Sequence, residues 1–318
     1  MRVLNWKPSP KDERDFKFAL NFSLLSEEEL PKVVDLRSLI PEIWDQGQLG
    51  SCAGHSTGMA VLYQSRKQNR EINPSRLFLY YNARVIQGWQ KEDSGCYIRD
   101  CFKTLNKEGV CKNDTWPYIE KEVVTKPSEK SYKEGLDTVS TKYYRIGQSI
   151  LEMKNCLANG RPFVFGFEVF TSFMNGNWID TMPTPKQNEK SLGGHATIAV
   201  GYDDDKKCFL IKNSWGSDWK MKGYFWMPYS YIVTNRCDDF WTLESLKEIP
   251  TPEPIPEPVP EPTPTGCLDP FKLFTSVSEL KSLSKTLLFK VATLMGLKPL
   301  NTSKTTLLNL LQQELKLK

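Results

Sequence analysis

Residues 249–265 read IPTPEPIPEPVPEPTPT, and no other stretch limits the possible architectures so sharply. Eight of the 21 prolines fall here, at every second position from Pro250 to Pro264. Proline lacks the backbone donor that helices and central strands require and fixes φ near the polyproline II value. The spacing therefore predicts an extended rod. At about 3.1 Å per residue it would span roughly 50 Å, and it reads as a stiff spacer. No PxxP element in it is flanked by Arg, so a ligand for a proline-binding domain is the weaker reading.

The rod cuts the 318-residue chain into a large part, 1–248, and a short tail, 266–318. The large part mixes apolar strands punctuated by glycine (Phe163–Phe170, Ala196–Tyr202, Phe209–Lys212) with helical patterns (Ala53–Gln68, Arg99–Asn106). It reads as an α+β unit large enough for a substantial core. The tail is helical. Leu287, Leu288, Val291, Leu294 and Met295 keep helix spacing, Gly296 ends the run, and residues 301–303 offer a cap to a second helix carrying Leu307, Leu308, Leu310, Leu311 and Leu315.

Charge excludes little on its own. The net value is +4, too mild for the whole chain to bind nucleic acid by its field. No run approaches the roughly 18 apolar residues of a membrane helix, and no membrane contact is expected. The start, MRVLNWKPSPKDERDF, is charged and broken by proline, unlike a secretory signal. An intracellular, cytoplasmic and monomeric protein is expected, with a virion-associated variant of that location open, and with its eight Cys as free thiols. Neither cofactor nor metal is expected. The spacing of Cys96, Cys101 and Cys111 fits no usual zinc module, and no His lies nearby. Asp203-Asp204-Asp205 reads as a solvated hairpin turn.

The chemistry concentrates in Asp45-Gln46-Gly47-Gln48-Leu49-Gly50-Ser51-Cys52-Ala53-Gly54-His55. Two glycines make a turn, and Cys52 follows where a helix should begin. Unpaired N–H groups and the positive end of the helix dipole favour thiolate there, the form in which Cys is nucleophilic. The only histidines are His55 and His195. His55 sits one helical turn from Cys52, on the same helix, and reads as a packed or hydrogen-bonded residue. His195 stands in Gly193-Gly194-His195-Ala196, 143 residues beyond Cys52. Asn213 follows 18 residues later in Ile211-Lys212-Asn213-Ser214-Trp215-Gly216.

That order and spacing of Cys, His and Asn is similar to the papain family of cysteine peptidases over residues 32–247. The run DQGQLGSC, with SRLFLYYNARVIQG and DSGCYIRDCFKTLNKEGVCKNDTWPY after it, resembles the short, signal-less members found in bacteria and large DNA viruses. The resemblance implies a helical left domain, a β-barrel right domain and an active site in the cleft between them. It implies Cys52 as nucleophile and His195 as its imidazolium partner and general acid/base. Asn213 would orient the imidazole, Gln46 would donate to the oxyanion, and Trp215 would cover the His–Asn bond. The segment Phe163–Phe173 would supply one wall of the pocket that reads substrate side chains. Leu49 stands where the family has a half-cystine, and Ala53 where it has Trp, so the cleft floor should be more open.

The expectation is thus a cysteine endopeptidase acting on proteins or peptides. The alternatives are an inactive binding or scaffold protein of the same fold, or an exopeptidase. Residues 1–31 are expected as a surface strap in preference to a short inhibitory plug. The peptidase domain is set at 32–248, the linker at 249–265 and a small helical basic module at 266–318. That module carries eight Lys against Asp269, Glu279 and Glu314, a net +5. Its order of helix, extended stretch and helix weakly resembles SAP-type or Rho-N-terminal-type modules. Lys298 and Lys304 would be its phosphate contacts if it bound nucleic acid, and a protein partner or a plain cap is the favoured alternative.

Overall fold

The computed structural model describes residues 2–247, 277–295, 297 and 303–316. The expected rod lies outside them. The chain divides into two compact units at 249/250.

In the first unit, a short helix α1 (Phe18–Asn21) and strand β1 (Val33–Asp35) precede the central helix α2 (Cys52–Lys67). Every residue of α2 from Cys52 to Ser65 is buried. Its composition explains how: Gly, Ala, Ser and Thr let neighbours approach closely. At Gly54 a Cβ would lie 2.9 Å from Arg76 O and 3.1 Å from Tyr80 Cβ, so the helix α3 (Arg76–Gln87) packs directly against the backbone. Ser75 caps α3 by accepting from Phe78 N–H, and Gly88, at φ +74°, stops it. The helices α4 (Ile98–Lys107) and α5 (Glu129–Gly135) complete this half.

The other half holds β2 (Tyr143–Arg145), α6 (Ile150–Ala158), β3 (Phe163–Phe170), α7 (Thr171–Asn175), β4 (Ser191–Asp203), β5 (Cys208–Lys212), β6 (Tyr224–Pro228), α8 (Tyr229–Ile232) and β7 (Cys237–Leu243). Where the resemblance implies a barrel, the strands form one seven-stranded antiparallel sheet. Its order is β2-β7-β3-β4-β5-β6, with β1 added to β4. The architecture is α+β, as expected.

The sheet separates two cores, and strand alternation assigns side chains to them. Phe163, Phe165 and Phe167 of β3 enter a core of aromatic rings with Phe173 and Phe225. Val164, and Ala196 and Ile198 of β4, face the core shared with α2, α3 and α4. The register pairs Phe167 with His195 and Gly166 with Ala196. The Asp203-Asp204-Asp205 run is the β4–β5 turn, with Asp203 Oδ1 accepting from the N–H groups of Asp205 and Lys206.

The second unit contains α9 (Val277–Ser282), α10 (Lys285–Leu294) and α11 (Lys304–Leu315) around Leu280, Leu288, Ala292, Leu307 and Leu311. Ser284 and Ser303 cap α10 and α11. No helix of the described residues is long and apolar enough to cross a membrane.

Candidate active site

Cys52 is the first residue of α2, as the turn glycines predict, and is buried. Its thiol is within hydrogen-bonding reach of the Ala196 backbone, next to His195. Ser56, one turn along, brings helix and strand together: its Oγ lies 2.8 Å from Cys52 O and 3.0 Å from Ala196 O.

His195 Nε2 is 2.7 Å from Asn213 Oδ1. That oxygen already accepts from Ser214 N–H, so it is an acceptor for the ring as well. The imidazole proton therefore sits on Nε2, and Nδ1 keeps its lone pair. Nδ1 is buried and makes no hydrogen bond among the described residues. Trp215 covers this pair, its ring 4.7 Å from the His195 ring, and Phe167 closes the other side at 5.8 Å. Gln46 is tied by Ser214 Oγ, which donates to its Oε1 at 2.7 Å, and its Nε2 donates to Leu49 O. An amide nitrogen carries two N–H groups, so one donor of Gln46 is left over. The structure thus brings His195, Asn213 and Trp215 into one cluster, and Ser214 links Gln46 to it.

Residues 2–9 lie across this site. The Arg2 guanidinium pairs with Asp45 and donates to Gly47 O and Trp215 O. Asn5 makes a β-bridge to Gly194, and Trp6 N–H donates to Gly194 O at 3.0 Å. Asn5 also fills the space beside Gly50 and Gly95. Ser9 closes the far end, its N–H and Oγ–H both donating to Asp239.

Covering the site decides its charge state. Burial pushes the Cys52 thiol up to about 12, against the smaller downward pull of the Ala196 backbone and, after it, of the backbone at the helix start. Burial pushes His195 down to about 4, although Asn213 pulls the other way. Both shifts favour the neutral thiol and the neutral imidazole while the site is covered, against the charged pair expected of the uncovered one. Desolvation outweighs the helix-terminus field here because both groups are buried.

The profile described as Papain family cysteine protease matches residues 30–238. The chain belongs to the papain family of cysteine proteases. It is 40% identical over 233 residues to an uncharacterized peptidase C1-like protein of Acanthamoeba polyphaga mimivirus, spanning 69% of this chain and 75% of that one. It is 29% identical over 216 residues to a cathepsin B-like protein of Giardia intestinalis, 63% and 69% of the two chains. Among solved structures it resembles xylellain, a cysteine protease from Xylella fastidiosa, with TM-score 0.72 and 38% identity over 77% of this chain and 96% of that one. As a papain-family member it is a peptidase, a hydrolase acting on proteins or peptides.

His55 has the structural place expected of it. Its Nδ1 contacts Ser51 O and Oγ, its ring packs between Tyr118 and Trp44, and burial lowers its pKa to about 3. Cys96 and Cys101 face each other, Sγ to Sγ 3.5 Å, as buried free thiols, and Cys208 and Cys237 are buried fillers. Ser214 and Ser56 escape sequence reasoning, as does the bond that Tyr118, legible only as part of an aromatic wall, donates to Gln46 O. So does Trp6, although it is a lone large apolar residue in a charged segment. In the second unit Lys304 Nζ donates to Lys281 O at 3.3 Å, and Lys298 lies outside the described residues.

Proposed function

We propose that this papain-family enzyme is an endopeptidase in which Cys52, His195 and Asn213 carry the reaction and residues 2–9 hold it in check. The observation that supports this most directly is the imidazole: Nε2 is committed to Asn213, and Nδ1 is left as a base. Once the cover leaves and water enters, the thiol pKa falls and the imidazole pKa rises. The Cys52 proton then passes to Nδ1, and the thiolate attacks the scissile carbonyl carbon. The spare Gln46 N–H and the Cys52 backbone N–H stabilise the oxyanion, which exists only in the tetrahedral intermediate. The imidazolium gives its proton to the leaving amine. Water, deprotonated by His195, then hydrolyses the thioester.

The span of the covering segment favours cleavage within chains. It reaches from Asp45 and Trp215 at one end to Asp239 at the other, so peptide fits on both sides of the site. Its contacts favour the plug over the surface strap. The test compares the full chain, Trp6→Ala and Cys52→Ala on an internally quenched peptide library. Trp6→Ala should cut, the full chain should cut more slowly, and Cys52→Ala should not cut. Equal cutting by Cys52→Ala would overturn the mechanism.

We further propose that the C-terminal unit docks a protein partner. Leu287, Phe289 and Leu310 are exposed although the helices have a core of their own. Salt-dependent retention of the full chain on DNA, abolished by Lys298→Glu with Lys304→Glu, would instead make it a nucleic-acid module.

A further inference from the structure

Gln46 and the Cys52 N–H stand at the two ends of one turn, and a single chain of hydrogen bonds joins those ends. It begins at His55, a residue the reaction does not use. His55 Nδ1 lies 3.1 Å from Ser51 O and 3.2 Å from Ser51 Oγ. A carbonyl oxygen only accepts, so Nδ1 carries the ring proton and shares it between the two oxygens. Burial holds the ring neutral, its pKa lowered to about 3, and Nε2 is buried without a partner among the described residues. Ser51 Oγ is 2.6 Å from Tyr118 Oη, and Tyr118 Oη–H donates to Gln46 O at 2.8 Å. Tyr118 has one hydroxyl proton, so the Ser51 proton points to Tyr118. Direction is therefore fixed along the whole chain, from His55 to Ser51, from Ser51 to Tyr118 and from Tyr118 to Gln46.

Each end of the chain grips an oxyanion donor. The Ser51 carbonyl and the Cys52 N–H belong to one planar peptide group, so fixing the oxygen fixes the direction of the N–H. Ser51 O accepts twice from His55, from its backbone N–H at 3.0 Å and from Nδ1. At the other end, Gln46 is held on both sides of its Cα. Its N–H donates to Ser214 O at 2.9 Å, and its carbonyl accepts from Tyr118. With Oε1 tied to Ser214 as well, the Gln46 amide has one direction in which to present its spare N–H. Gln46, Ser51 and His55 are all buried. Tyr118 is fixed by its neighbours: its ring meets the His55 ring at 4.7 Å and 83°, and the Arg76 guanidinium lies 5.5 Å from it.

From this we infer that His55 and Tyr118 are positioning residues for the reaction, which act through Ser51 to aim the Cys52 N–H and Gln46 at the oxyanion. The inference rests on the reading of those two groups as oxyanion donors and adds what holds them in place. Donors already aligned when the charge appears stabilise it without reorganising. Members of a hydrogen-bonded chain polarise one another, so loss of one weakens the others. His55 therefore serves the transition state without touching substrate and without exchanging a proton with Cys52.

The test uses the full-length chain in the Trp6→Ala background, with His55→Phe, His55→Asn, Tyr118→Phe and Gln46→Ala. His55→Phe keeps a ring and removes the donor, His55→Asn returns an N–H near the place of Nδ1, and Tyr118→Phe removes only the hydroxyl. Three quantities are measured: kcat and KM on one internally quenched peptide, inhibition by an acetylated tripeptide aldehyde, and the rate of Cys52 alkylation by iodoacetamide. The Cys52 sulfur adds to the aldehyde carbon. A C–S bond forms, the C=O π pair moves onto oxygen, and the thiol proton ends there, so the adduct puts an oxygen where the oxyanion stands. Alkylation forms a C–S bond and expels iodide, with no such oxygen. His55→Phe and Tyr118→Phe should each lower kcat and aldehyde affinity about tenfold, with KM and the alkylation rate changed less than about threefold. His55→Asn should recover most of the loss in His55→Phe. In the Gln46→Ala chain, Tyr118→Phe should cost less than about threefold, since the group it aims is gone. Unchanged kcat and aldehyde affinity in His55→Phe and Tyr118→Phe, while Gln46→Ala still loses both, overturns the positioning roles and leaves the oxyanion reading in place. A loss shared equally by alkylation, or neither relieved by His55→Asn nor reduced by Gln46→Ala, is one of packing and also overturns them. Should His55→Phe fail to fold, Tyr118→Phe with and without Gln46→Ala decides the matter. If Gln46→Ala itself changes neither quantity, the oxyanion reading fails and the inference falls with it.

Discussion

His195 Nε2 and Asn213 Oδ1 are 2.7 Å apart, and among the described residues that bond is the imidazole's one hydrogen bond. Ser214 N–H donates to the same Asn213 oxygen, so the amide cannot turn without losing two partners. Asn213→Ala should leave Nε2 buried without an acceptor and the ring free to rotate. In the Trp6→Ala background we expect kcat to fall about 10²-fold, part of what a positioned base contributes, with KM little changed. Steady-state kinetics on a single peptide checks this. An unchanged kcat would show that packing by Trp215 and Phe167 alone orients the ring.

The covered site makes a prediction about pH. With the thiol near 12 and the imidazole near 4, neither group carries charge at neutral pH. Cys52 of the full chain should react slowly with iodoacetamide at pH 7, and its rate should climb only at high pH. Hydration lowers the first pKa and raises the second, so Trp6→Ala should move the onset of alkylation down by several pH units. Its rate at pH 7 should rise at least tenfold. Alkylation followed by peptide mapping resolves Cys52 from the other thiols. Coincident profiles would mean that residues 2–9 do not control the ionisation.

Gln46 and Ser214 predict a graded pair of effects. Gln46→Ala removes a donor needed only in the transition state and should lower kcat by about 10²- to 10³-fold. Ser214→Ala removes the hydroxyl that holds Gln46 Oε1, so the amide can turn its oxygen toward the substrate. The loss should be smaller, about tenfold, and again in kcat. If Ser214→Ala instead raised KM alone, Ser214 would act on binding and not on the orientation of Gln46.

The sequence was legible where a local signal and a contact coincide. The glycine turn before Cys52 and the apolar run Phe163–Phe170 each predict an element that stands where expected, because backbone chemistry decides both. Gln46, His195 and Asn213 are legible through their motifs, but their hydrogen bonds are not. Ser214 sits beside Asn213 in the chain and yet acts on Gln46, 168 residues away, which only the fold reveals. The thiolate expected of Cys52 follows from the helix terminus and from an imidazolium partner. Burial opposes it, and Trp6, packed in the same core, takes its place above Gly166 through two residues 160 positions apart and by no periodic pattern. Asp239 escaped for the same reason, since its partner Ser9 comes from the opposite end of the domain.

Lys212, adjacent to Asn213, carries the last prediction. Its ammonium is buried, and Nζ donates to Ile40 O and Tyr224 Oη, each at 2.8 Å. Burial lowers its pKa from an ordinary 10.5 to about 7, with Glu42 pulling the other way. The unfolded chain therefore binds a proton that the folded chain lacks between about pH 7 and 10.5. Folding stability from this group rises with pH across that window and is lowest, and flat, below it. The penalty at low pH is on the order of 5 kcal/mol. Lys212→Met removes it, but leaves Ile40 O and Tyr224 Oη without their donor, at a cost of about 1–3 kcal/mol. The variant's Tm should accordingly gain on the parent's at pH 6 and lose on it at pH 10. A difference in Tm that stays constant over that range would mean that Lys212 keeps its proton in the folded chain, with Tyr224 and the Ile40 carbonyl solvating the charge.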